Sequence, residues 1–127
     1  DEWFHLYRKV LSEYKLEARC ASMRSIDTRP DLAELLAGKE EVIFQKLESE
    51  ALKAIEEDKA DVIVLGSTTM HQSYAFLQQA LPVPVINPGL ISYKLCEMFL
   101  ETGLCHSKRA FPAPQQPNDD LVLSRNN

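Results

Sequence analysis

The run Val62-Ile63-Val64-Leu65 constrains this chain more than any other feature. It is continuous, apolar and mostly β-branched, with no polar residue at alternate positions. Such a run predicts a strand buried on both faces, as in a parallel sheet covered by helices. Pro82-Val83-Pro84-Val85-Ile86 predicts a second buried strand, kept short because its two prolines cannot donate to a ladder. Between the two, Gly66-Ser67-Thr68-Thr69 turns the chain into a helix holding Tyr74, Leu77 and Leu81. Strand, helix and strand in that order predict a parallel pair joined by a crossover.

The other elements follow from spacing. Trp3, Leu6, Tyr7, Val10, Leu11 and Tyr14 form one apolar stripe, which predicts a helix over 3–14. Residues 18–23 are expected to form a short strand, and 26–30 a loop stopped by Pro30. Asp31 and Glu34 fit a capping box for a helical turn ending at Gly38. Ile43, Leu47, Ala51 and Ile55 fall four apart and predict a long helix over 39–58. Asn87-Pro88-Gly89 reads as a turn, and Ile91 to Thr102 as a last helix closed by Gly103 at C′. We expect an ordered α/β region over 1–114 and a mobile polar tail over 115–127. The chain begins at Asp1, directly in a helix-like pattern, and we expect that something upstream is missing.

Charge and cysteine usage exclude several functions. The net charge of −5 argues against a nucleic-acid partner, which requires a concentrated basic face. No apolar run approaches the roughly 20 residues of a membrane span. Cys20, Cys96 and Cys105 form no C-x-x-C pair, so neither a zinc site nor a dithiol motif is supported, and no metal is expected. Reduced thiols in a cytoplasmic protein are the simplest reading. Cys96, flanked by Leu95 and near Met98, and Cys20, on its expected strand, read as buried inert thiols.

Ligands on parallel sheets bind beyond the carboxyl ends of the strands. Here those ends are Gly66 to Thr69 and Asn87 to Gly89. The first lies between a strand and a helix N-terminus, where backbone N–H groups and three hydroxyls can bind a carboxylate or phosphate. Helix capping by Ser67 or Thr68 accounts for the same residues equally well. No G-x-x-x-x-G-K pattern accompanies them. His71, one helical turn after Ser67, is a candidate base near neutral pH or a partly exposed first-turn histidine. Tyr93 and Lys94 read as surface or packing residues.

Over Val62 to Met70, Leu65-Gly66-Ser67-Thr68-Thr69-Met70 resembles the second catalytic signature, Leu-Gly-Cys-x-x-Met, of the hydantoin racemase branch of the aspartate/glutamate racemase family. Arg19 to Arg24, Leu81 to Ile86 and His106-Ser107-Lys108 resemble, in order, the pieces that flank it, so that the resemblance spans 3–114. It implies a three-layer, parallel-sheet, flavodoxin-like half of a two-domain pseudo-symmetric fold, truncated at its N-terminus. It implies no cofactor: one cysteine thiolate takes the α-proton from one face of the substrate, and a thiol of the other half returns one on the opposite face. Ser67 stands where the second cysteine belongs, and a hydroxyl is a poor base without an adjacent one, which His71 could be. Thr68 and Thr69 would bind the anionic group of the substrate, and Asn87 would line the pocket.

The resemblance therefore implies proton transfer at the α-carbon of a small amino acid, hydantoin or related carboxylate. Its partners would be that substrate, the missing N-terminal half and further copies of the same chain. Two alternatives stand beside it: a single-cysteine decarboxylase or isomerase of the family, and a non-catalytic small-anion binding module that kept the fold. A phosphate-binding domain, resting only on the Gly-Ser-Thr-Thr loop, is a weaker third.

Overall fold

The computed structural model describes residues 3–28, 41–68 and 70–112. The turn expected over Asp31 to Gly38, Thr69, and the tail over 115–127 lie outside these residues. The chain divides into two compact units, Asp1–Tyr93 and Lys94–Asn127.

In the first unit, helix α1 spans Phe4–Glu13, a 3-10 turn spans Glu17–Arg19, and helix α2 spans Glu41–Glu56. Strand β1 (Ile63–Val64), helix α3 (His71–Ala80) and strand β2 (Val85–Ile86) follow, and helix α4 begins at Pro88. The strands are parallel, with Ile63 opposite Val85 and Val64 opposite Ile86. Hydrogen bonds from Ile63 N to Pro84 O (2.9 Å) and from Leu65 N to Ile86 O (3.1 Å) extend the pairing on either side. The chain is thus a mixed helix and strand protein with a parallel sheet, as the apolar runs predict.

The core gathers Ala51 from α2, Leu65 beyond β1, Leu77 from α3, Leu81, and Val85 from β2. Leu47, Leu52, Ile55, Ile63 and Tyr74 pack around it, and the rings of Phe44 and Phe76 stack at 4.6 Å between α2 and α3. The stripe read from α2 is therefore its inward face, with Ile43 and Ala51 buried.

Three expectations are corrected. First, the run at 62–65 is not buried on both faces. Leu65 is 5% exposed, but Val64 is 61% exposed and Val62 39%. Residues alternate across a strand, and the helices cover only the Leu65 face. Second, no strand forms over 18–23. A 3-10 turn occupies Glu17–Arg19, and Cys20 is extended (φ −90°, ψ 104°). A strand needs a ladder, and β1 and β2 make up the only sheet among the described residues. Arg24 instead ties this segment to the end of α2, with Nε 2.6 Å from Asp58 Oδ2 and Nη2 2.7 Å from Glu57 Oε2. Third, Asn87-Pro88-Gly89 is not a free turn. Pro88 opens α4, which runs to Thr102, and the missing N–H of proline costs nothing at a first helical position.

Helix α1 buries none of its residues; Trp3 is 56% exposed and Val10 51%. It ends with Lys15 in the left-handed region (φ 55°), where Lys15 N bonds Ser12 O and Leu16 N bonds Leu11 O.

In the second unit, α4 closes at Gly103 (φ 65°), with Gly103 N bonded to Leu100 O and Leu104 N to Phe99 O. This is the six-to-one and five-to-two pattern that the sequence predicts for a C′ glycine. Beyond it, Ser107 Oγ accepts from the N–H groups of Arg109 and Ala110, and His106 meets the ring of Phe111 edge-on.

Candidate active site at the strand ends

Parallel pairing brings the residues after β1 beside those after β2. Leu65 anchors the first loop in the core; Gly66, Ser67 and Thr68 then leave the sheet, with Ser67 half-buried and Thr68 exposed. The N-cap of α3 is Met70, which makes no side-chain cap hydrogen bond. His71 is its first residue and is exposed.

The second loop is short and fully engaged. Asn87 is 2% exposed. Its Oδ1 accepts from Gly89 N (2.9 Å) and Leu90 N (3.3 Å), the N-cap arrangement that starts α4. Its Nδ2 lies 3.3 Å from Nδ1 of His71, sixteen residues earlier. Gly89 seats the new helix on the first loop: a Cβ placed on it would lie 2.6 Å from the carbonyl oxygen of Thr68. Tyr7 of α1 reaches the same loop and donates its hydroxyl proton to Gly66 O at 2.8 Å.

Of the residues singled out from the sequence, Ser67, Thr68, His71 and Asn87 share this corner, and His71 and Asn87 touch. Thr69 lies outside the described residues. The cysteines do not join them: Cys20 is half-buried, with Sγ 3.5 Å from Ser22 O, while Cys96 and Cys105 are exposed. Cys96 is thus not the buried thiol expected, because its stretch of α4 packs none of its side chains to burial.

Two contributors were not read from the sequence. Tyr7 counted only as part of an apolar stripe. Gly89 looked like turn punctuation, although an asparagine before a proline is also a helix start.

Several displaced ionisable groups belong to the Arg24 cluster at the end of α2. Hydrogen bonding to Asp58, then to Glu57, holds the Arg24 guanidinium above its ordinary range. The hydrogen bond from Arg24, helped by one from Ser22, holds Asp58 below the usual carboxylate range. Glu50 is lowered mainly by its hydrogen bond to Lys53. Among the described residues, no group of three or more His, Cys, Asp or Glu side chains is placed to hold a metal ion. No helix among them is long and apolar enough to cross a membrane.

Residues 1–96 match the family model described as Asp/Glu/Hydantoin racemase. The chain is 36% identical over 103 residues to a hydantoin racemase of Rhizobium meliloti. That match covers 78% of this chain and 40% of the relative, so the chain spans about half the length of the curated protein it resembles. No solved structure matches it.

Proposed function

This chain belongs to the Asp/Glu/hydantoin racemase family, and on that premise we propose that it is one half of a cofactor-independent, cytoplasmic enzyme. The enzyme moves a proton at the α-carbon of a small amino acid, hydantoin or related carboxylate. Its substrate sits at the strand-end corner, a second pseudo-symmetric half supplies the opposing proton-transfer group, and copies of the chain assemble.

The observation that carries this reading is the convergence of the two loops. Gly89 packs on Thr68, and Asn87 reaches His71, so the loop that carries Ser67 meets polar groups from the opposite strand end. Proton removal leaves negative charge on the substrate's carbonyl or carboxylate oxygens, and preorganised donors at that point lower the barrier. Ser67 and His71 carry the chemistry on this side, Thr68 and Thr69 hold the anionic group, and Asn87 completes the pocket wall. The exposed apolar side chains Trp3, Val10 and Val64 support a second half that covers them.

One observation favours a second reading. Ser67 occupies the position at which the family's signature has cysteine, and a hydroxyl gives up its proton far less readily than a thiol. A non-catalytic small-anion binding module, or a single-cysteine decarboxylase or isomerase, fits that departure.

Loss of the Cα–H signal of a 5-substituted hydantoin or an amino acid, followed by NMR in deuterated water, tests the reading. The proposal expects exchange that Ser67→Ala lowers on the order of 100-fold. Ser67→Cys is expected to raise it. Substrate binding without exchange in either protein would establish the binding module instead.

A further inference from the structure

We infer that Asn87 is a positioning residue that holds the imidazole of His71 with its proton on Nε2, so that His71 enters the site as a hydrogen-bond donor rather than as a base. The use made of that donor rests on the proposed reading of the strand-end corner. The tautomer follows from the hydrogen bonds alone.

The two ends of an asparagine amide are opposites: the oxygen only accepts and the nitrogen only donates. Oδ1 of Asn87 faces two backbone N–H groups, those of Gly89 at 2.9 Å and Leu90 at 3.3 Å. A flipped amide would set its NH2 against both, so the orientation is fixed. The NH2 must then be the end that meets Nδ1 of His71 at 3.3 Å. An N–H needs a lone pair opposite it, and Nδ1 offers one only when it carries no proton. Neutral imidazole has a single N–H, which is therefore on Nε2. Asn87 is 2% exposed, so water does not compete for its amide.

The consequence reverses the role expected for His71. A base would have to accept at Nε2, but that nitrogen already holds the proton. Moving it to Nδ1 would set N–H against N–H. The exposed imidazole instead presents Nε2–H to a ligand oxygen that gains negative charge, and abstraction of the α-proton falls to another group. No proton changes hands at His71.

The test is a two-bond proton–nitrogen correlation spectrum of the 15N-labelled full chain, at a pH where the rings are neutral. The signals of His71 are separated from those of His5 and His106 by a His71→Gln variant. The expected result is an Nε2 that carries hydrogen and an Nδ1 that does not. Asn87→Asp keeps an oxygen for the α4 cap but replaces the donor with an acceptor. In that variant Nδ1 is expected to gain the proton. A wild-type ring protonated on Nδ1, an even mixture of tautomers, or an unchanged ring in Asn87→Asp each overturns the inference. If Asn87→Asp does not fold, the wild-type spectrum decides alone. No substrate is present, so failure of the proposed reaction and failure of this inference are read separately.

Discussion

Gly89 sits so close to Thr68 that a β-carbon on it would lie 2.6 Å from the Thr68 carbonyl oxygen. That separation is below van der Waals contact, and the atom in the way is backbone. Substitution of glycine by alanine inside a helix ordinarily stabilises by up to ~1 kcal/mol. Here overpacking, at about 1–3 kcal/mol, outweighs that gain. Gly89→Ala is therefore expected to lower stability in urea or thermal unfolding. A rise in the unfolding midpoint would show that the two loops do not press together.

Tyr7 gives a second handle on the same loop. Its hydroxyl donates to Gly66 O at 2.8 Å, one residue before Ser67. Tyr7→Phe removes that bond and little else, with an expected cost of about 0.5–1.5 kcal/mol. The local effect is the more telling one: hydrogen exchange at the Ser67 and Thr68 amides is expected to quicken, while that of Ile43 and Leu77 follows global stability. Equal acceleration at all four positions would mean that Tyr7 does not hold the loop.

Periodicity made the helices legible: the stripes of α1 and α2 and the Gly103 stop lie where spacing puts them, because amphipathic spacing and C′ glycine chemistry are local properties. The strands were legible as strands but not in their burial. Val62 to Leu65 carries no polar residue to mark which face lies open. The 18–23 segment has strand composition but no partner, and pairing is not a local property. At the site, the loop residues could be placed because parallel strands present ligands at their carboxyl ends. The Asn87–His71 contact could not, since sixteen intervening residues conceal it. Tyr7 was hidden for a similar reason: in a stripe of apolar residues, its hydroxyl carries no mark of a partner fifty-nine positions away.

The alternation across β1 can be tested directly. Leu65 is 5% exposed within the core cluster, whereas Val64 is 61% exposed. Leu65→Ala is expected to cost about 2–5 kcal/mol. In this chain without a second half to cover it, Val64→Thr is expected to change stability by no more than ~0.5 kcal/mol. Chemical denaturation of both variants checks the pair. A large loss for Val64→Thr would show that this face is covered in solution.

The Arg24 cluster sets the acid side of the stability profile. Asp58 accepts from Arg24 Nε at 2.6 Å, and its pKa is lowered in the folded state. A depressed carboxylate adds stability that is complete above its unfolded value, near pH 4, and is lost as pH falls through the lower folded value. Arg24 stays charged throughout, so the loss comes from protonating Asp58, with Glu50 contributing in the same direction. Thermal unfolding between pH 7 and pH 2 is expected to show a falling midpoint below about pH 4. Asp58→Asn lowers the midpoint at pH 7, where the ion pair is intact, and narrows its gap to wild type toward pH 2. A gap that stays constant across the range would mean that Asp58 does not titrate differently in the folded and unfolded chains, and that Arg24 is held by Glu57 and Glu50 instead.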